Sequence, residues 1–429
     1  MINGYDIAYA AGVAAAAPFW MARRKSREKV LCALGQRMGH VRPREGDGPA
    51  VLIHAVSLGE VNATVELVRQ LRAARPDVAA VVSTTTDAGY ARGRQLYPVD
   101  GGVQLIRFPL DFSVAVNHLL DAVRPSVAVL MEGELWPNFL LQCERRGTPV
   151  LLVNGRVTPS SFRNYRRLPS VTTPMLRRLS AVCVQDAGYA EQFRQLGAPA
   201  ERVAVTGTMK FDTALVADRA PGDTALAAAV GLTDGDPVWV CGSTGPGEEP
   251  VVLDVFADLK SEISNLRLVI VPRHPQRFDE VAALITSRGH PLLRRSTGIA
   301  TGDRPVILGD TMGELRTFYG LATVAFVGRS LLDLGHRQRG SDMIEPAALG
   351  KPVVVGRWTQ NFADAVRAFR SADAIAEVTD GSELTAVLRR WLSDPPAAAE
   401  VGRRAQAVVR ERRGATARHV ARILACLGS

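Results

Sequence analysis

The chain lacks the features that would tie it to an oxidised, metal-bound or membrane-spanning scaffold. Its five cysteines, Cys32, Cys143, Cys183, Cys241 and Cys426, are scattered singly. With no C-x-x-C pair and no disulfide-framework spacing, free thiols in a reducing compartment are expected. There is no H-E-x-x-H, no histidine pair at ligand spacing and no G-x-S-x-G elbow, so metal hydrolase and acyl-transfer chemistry lose support. The D-x-D at Asp234-Gly235-Asp236 precedes a strand pattern and reads as a turn. Aromatic residues are 6% of the chain and are not interleaved with basic ones as in single-strand binders, so nucleic acid is not an expected partner.

Long apolar runs are also missing. Ile7 to Ala22 is an Ala-rich stretch containing Pro18, short of the ~20 residues that span a bilayer. Asp6 precedes it and Arg23-Arg24-Lys25-Ser26-Arg27-Glu28-Lys29 follows, the reverse of the charge order in a secretory signal, so export is not expected. The segment reads as an interfacial anchor, with Phe19 and Trp20 at the headgroups and the basic run against anionic lipid on the cytoplasmic face of the inner membrane. The plainer alternative is a core helix of the first domain.

What is present suits two α/β domains. The chain has 429 residues, 47% of them hydrophobic and 22% charged, which bounds a globular protein of two cores. The net charge of +9 favours an anionic partner. From Ala50 onward, short apolar runs (Val51 to His54, Val78 to Ser83, Val127 to Met131, Val150 to Asn154) read as buried parallel strands. They alternate with helical patterns such as Val61 to Ala74 and Ser113 to Val123. The same grammar restarts at Pro237 to Cys241 and continues through Leu268 to Val271, Val306 to Leu308, Thr323 to Val327 and Pro352 to Val355. Two Rossmann-like doubly wound domains facing a central cleft are therefore expected, over residues 50–215 and 221–400. Residues 1–49 would form the membrane-associating segment, and a helix over 401–429 would pack back across the interface.

The candidate chemistry lies where strand patterns end. In His54-Ala55-Val56-Ser57-Leu58-Gly59-Glu60 a Ser/Gly turn feeds a helix. Glu60 is either a dipole-favoured cap or a general base, with Gly59 clearing space and Ser57 bonding locally. Glu132-Gly133-Glu134 follows the strand ending at Met131 and is either a solvated turn or an acceptor-binding pair. Gly242-Ser243-Thr244-Gly245-Pro246-Gly247-Glu248-Glu249 has the form of an amide cradle for an anion, and Arg273-His274-Pro275 adds positive charge after the next strand. Gly309-Asp310-Thr311-Met312-Gly313-Glu314-Leu315 and Ser341-Asp342-Met343-Ile344-Glu345 complete the set. Glu345 is an ordinary first-turn acid or an acceptor of sugar-hydroxyl hydrogen bonds.

In this order the clusters resemble the 3-deoxy-D-manno-octulosonic acid (Kdo) transferase family of GT-B glycosyltransferases. Asn154-Gly155-Arg156, Thr206 to Asp212 and Arg277-Phe278 join them. The resemblance covers nearly the whole chain and includes the apolar N-terminus followed by basic residues. It implies an inverting transfer, without metal or cofactor, from CMP-Kdo to an acylated glucosamine disaccharide bisphosphate in lipopolysaccharide synthesis. Glu60 would be the base. Ser243, Thr244, Arg273, His274, Gly309, Met312, Gly313, Glu314, Ser341, Asp342, Glu345 and Lys210 would hold the donor. Ser57, Gly59, Glu132, Glu134, Arg156, Arg163 and Arg166, with Arg167, would serve the phosphorylated glycolipid acceptor at the membrane surface. The chain departs from the family's Gly-Gly-His-Asn-x-x-Glu pattern. Arg329 stands for a Gly, Ser341 and Asp342 stand for the His and Asn, and the preceding loop, with His336 and Arg339, is longer. That departure leaves room for another nucleotide sugar on the same fold, or for an inactive lipid- or nucleotide-binding protein at the membrane.

Overall fold

A computed structural model describes residues 3–21, 33–335 and 340–428. They form two compact units, one of Met1–Thr213 with Arg413–Ser429 and one of Ala214–Arg412.

The first unit is built on a sheet of seven parallel strands: β1 (Ala50–His54), β2 (Ala79–Thr84), β3 (Val103–Arg107), β4 (Val127–Met131), β5 (Val150–Gly155), β6 (Ala181–Val184) and β7 (Val203–Val205). Their spatial order is β3-β2-β1-β4-β5-β6-β7. Successive side chains point to opposite faces, so the apolar runs supply two cores at once. Leu52, Val81, Leu130 and Leu152 face one, and Val51, Ile53, Val82, Val129 and Val153 face the other. The C-terminal helix Ala415–Leu427 belongs to this unit, where Ala415, Val420 and Ile423 join the second core. Asp212 caps it by accepting from the Gly414 and Thr416 amides at 2.6 and 2.5 Å. The preceding helix, Pro395–Arg412, lies in the other unit, so the tail expected as one segment from residue 401 is divided between the two.

The second unit repeats the plan with β8 (Val238–Thr244), β9 (Arg267–Pro272), β10 (Leu292–Arg294), β11 (Val306–Leu308), β12 (Val324–Val327), β13 (Val353–Gly356) and β14 (Ala376–Val378). All are parallel, in the order β10-β11-β9-β8-β12-β13-β14. In each sheet the first strand lies inside and the order reverses beside it, between β1 and β4 and between β8 and β12. In open parallel sheets, ligands bind at the carboxyl ends of the strands flanking that reversal.

The N-terminal stretch forms the helix Gly4–Met21. Its first turn is fixed by buried Asp6, which accepts from the Ser113 amide and hydroxyl, both at 2.7 Å, and from Asn138 Nδ2 at 3.2 Å. Of residues 7–15, all but Tyr9 and Val13 are exposed, so that part of the stretch is not packed in a core. The basic run 23–29 and the side chains of Phe19 and Trp20 lie outside the described residues. Among the described residues no helix is long and apolar enough to cross a membrane.

Candidate active site

In the first unit the switch point brings Glu60, Glu132, Glu134 and Arg156 together. Ser57 ends β1's loop in extended geometry and caps the helix Leu58–Ala74: its hydroxyl accepts from the Glu60 amide at 3.3 Å while the Glu60 side chain reaches back. Glu60 Oε1 accepts from the Ser57 hydroxyl at 2.8 Å, and Oε2 accepts from the Val56 amide at 3.0 Å. Glu60 is thus the cap that the bare spacing suggested. It is also more than that, because the side chain is only 8% exposed. Burial, and next the charge of Glu132, push its pKa up to about 7 against the pull of those hydrogen bonds. A carboxyl group poised there exchanges a proton near neutral pH.

Glu132 follows β4 with a left-handed φ of 60°, which turns its carboxylate onto Arg156 Nε at 2.6 Å. Arg156 follows β5, the strand paired with β4. Gly133 is required at its position, since a Cβ there would meet the Arg156 carbonyl oxygen at 2.7 Å. Tyr165, which the sequence reading missed, donates to the Gly133 carbonyl at 3.2 Å. Burial and Glu132 raise the Glu134 pKa. Beneath this rim His54 is a packing residue: fully buried, stacked on Phe108 at 3.8 Å and held neutral, its pKa pushed down to about 3 by burial. Gly59 has open space above it apart from the Ser57 hydroxyl. Arg163, Arg166 and Arg167 stand exposed on the helix Pro159–Arg167, with Arg166 over the Phe162 ring at 5.7 Å.

In the second unit one amide of the expected cradle, that of Gly245, is taken by the protein's own Glu248. Fully buried Glu248, first residue of the helix Glu248–Glu262, accepts from the Gly245 and Arg329 amides at 2.8 and 2.6 Å. It also accepts from the Ser330 and Leu331 amides, both at 2.9 Å. Its carboxylate therefore ties the loop after β8 to the loop after β12. Gly328 admits no side chain, because a Cβ would meet Thr244 Cα at 2.6 Å. Glu249 is likewise structural, in a buried bidentate pair with Arg277 at 2.6 and 3.0 Å.

What remains open to a ligand is a set of side-chain atoms. Among the described residues the buried Thr244 Oγ1, Ser341 Oγ, Tyr319 hydroxyl and Arg329 Nε have no hydrogen-bond partner. Buried polar atoms are rarely left so unless a ligand or water completes them. Exposed Arg273 follows β9, its amide bonded to the Thr244 carbonyl at 3.0 Å. Neighbouring His274 is also exposed, its pKa lowered by partial burial and by Arg329, Arg273 and Arg277. Several expected donor ligands have protein partners instead. Glu345 pairs with Arg316 at 3.1 Å, and Glu314 with Arg295 at 2.9 Å and with Thr311. Asp342 accepts from the Ile344 amide at 2.9 Å. Gly309 packs on Val271 and Phe318, Gly313 has φ 91° and Met312 is 73% exposed. Lys210 belongs to the first unit, in the 3-10 turn Met209–Phe211. His336 and Arg339 lie outside the described residues. Tyr319 was missed, although an isolated Gly in a buried strand signals close approach: a Cβ on Gly242 would collide with the Tyr319 ring. Among the described residues no three His, Cys, Asp or Glu side chains are grouped to hold a metal.

Comparison with known proteins agrees with this geometry. Residues 33–213 match the family model described as 3-deoxy-D-manno-octulosonic-acid transferase (kdotransferase). A 3-deoxy-D-manno-octulosonic acid transferase of Bordetella pertussis is 34% identical over 412 residues, covering 93% of each chain. That of Haemophilus influenzae is 32% identical over 374 residues, covering 86% of this chain and 85% of its own. A glycosyltransferase from Rickettsia africae, 12% identical, shares the fold with a TM-score of 0.61 over 90% of this chain and 100% of its own. On these relatives the chain belongs to the 3-deoxy-D-manno-octulosonic acid transferase family of glycosyltransferases.

Proposed function

We propose that the protein transfers Kdo from CMP-Kdo to a phosphorylated, acylated glucosamine disaccharide in lipopolysaccharide synthesis, with inversion and without a metal. The observation that carries this reading is Glu60: a buried carboxyl at a switch point with its pKa near 7, in a chain 34% identical to a Kdo transferase over nearly its whole length. Glu60 takes the proton of the acceptor's primary hydroxyl as that oxygen bonds to the anomeric carbon. The bond from that carbon to the phosphate oxygen breaks, and CMP departs with the electron pair. The leaving monophosphate gains one charge, which Arg273 and the Thr244 and Ser341 hydroxyls are suited to receive.

Repulsion from Glu132 raises the Glu60 pKa and so strengthens Glu60 as a base, and Arg156 holds Glu132 in place. The exposed arginines of the helix Pro159–Arg167 suit the acceptor's phosphates. The helix Gly4–Met21, anchored at its first turn by Asp6 and with exposed Ile7 and alanines over residues 7–15, suits peripheral attachment to the cytoplasmic leaflet. A donor competition assay tests the reading: CMP should inhibit transfer from CMP-Kdo far more strongly than UDP or GDP. Stronger inhibition by UDP would point to a different nucleotide sugar on the same fold.

A further inference from the structure

Arg329 is held in a conformation that its residue type does not favour. Its φ is 58°, a left-handed geometry that costs a non-glycine residue roughly 1 kcal/mol. The backbone is pinned there: its amide donates to Glu248 at 2.6 Å and its carbonyl accepts from the Gly340 amide at 2.6 Å. The side chain crosses Gly245 so closely that a Cβ on that glycine would lie 2.9 Å from Arg329 Cγ. Its Nε is buried without a partner among the described residues. Burial, and next the charge of Arg273, lower its pKa, while Glu248 opposes that effect. Glu248 cannot serve as a free counter-ion, since four backbone amides occupy its oxygens.

Among the described residues neither Arg273 nor Arg329 forms an ion pair. Two guanidinium groups that repel one another, neither of them bonded to a carboxylate, are stabilised when an anion enters. The unsatisfied hydroxyls of Thr244 and Ser341 border the same loops.

Resting on the reading of the second unit as the donor-binding unit, we propose that Arg329 is a second phosphate-binding cation of that site, receiving with Arg273 the monophosphate of a nucleotide-sugar donor. The test uses the full-length protein and its Arg329→Gly and Arg329→Lys variants, with calorimetric titration of CMP and of cytidine. Glycine suits the left-handed backbone, so Arg329→Gly should keep or raise the melting temperature. Loss of a charge-assisted contact should weaken CMP by about 10- to 100-fold with cytidine affinity unchanged. Arg329→Lys should recover part of the loss, and the salt dependence of CMP binding should fall in Arg329→Gly. Unchanged CMP affinity in Arg329→Gly, or an equal loss for CMP and cytidine, would overturn the proposal. A wild-type preference for UMP or GMP over CMP would defeat the donor assignment instead. The nucleotide-to-nucleoside affinity ratio for the preferred base would then still decide the role of Arg329.

Discussion

The ionisation of Glu60 gives the sharpest prediction. Its folded pKa is about 7 against an ordinary 4.5, with burial the largest cause and Glu132 the next. If Glu60 is the base, kcat/KM for transfer should rise with pH through an apparent pKa near 7 and level off above it, because only the carboxylate accepts the proton. Glu60→Gln retains an oxygen for one of the Ser57 and Val56 donors, which bond different carboxylate oxygens, but cannot take a proton. It should lower kcat by about 10²- to 10⁴-fold with little loss of stability. Glu60→Ala should in addition lose about 1 kcal/mol with the cap.

Glu132→Gln removes the second cause and leaves the first, so the acidic limb should move to lower pH without reaching the ordinary carboxyl range. Stability carries the same signature. A carboxyl whose folded pKa is raised binds its proton more tightly in the folded state, so its contribution is fully present below pH 4.5 and is lost as pH rises through about 7. The assay is CMP release at saturating and limiting acceptor from about pH 5 to 9, a window that brackets a pKa of about 7. A flat profile, or wild-type kcat in Glu60→Gln, would refute the reasoning.

Further predictions concern the frame of the site. Glu248→Ala strands four buried amide donors and should cost about 3 to 5 kcal/mol in urea unfolding, whereas Glu248→Gln should cost less. Gly328→Ala places a Cβ 2.6 Å from Thr244 Cα, and overpacking of about 1 to 3 kcal/mol should appear as a lowered melting temperature. Asp212→Ala removes the acceptor of the Gly414 and Thr416 amides. It should destabilise by about 1 to 2 kcal/mol, with faster proteolysis before the helix Ala415–Leu427.

Both sheets were largely legible because buried parallel strands are continuous apolar runs. β1, β4, β5, β8, β9 and β12 lie where those runs fall. Short peripheral strands such as β10, only Leu292–Arg294, carry too little pattern to be read. In the site, Glu60 was legible because strand, Ser/Gly turn and helix start are consecutive in the chain. The Glu132–Arg156 pair was not, since it depends on β4 lying beside β5. The Gly-rich loop after β8 was legible, but its tie to the loop after β12 through Glu248 was not, since it depends on the sheet order placing β12 against β8. Arg329 was legible as a residue standing where the family pattern has Gly, but not its left-handed backbone or its buried, unpartnered Nε.

The measurement closest to the central claim is the product formed when purified wild-type and Glu60→Gln proteins are incubated with CMP-Kdo and an acylated glucosamine disaccharide bisphosphate and resolved by mass spectrometry. The account predicts a Kdo-bearing glycolipid from the wild type and none above background from Glu60→Gln, with CMP binding intact in both. Consumption of a different nucleotide sugar in place of CMP-Kdo, or equal product from the two proteins, would contradict it.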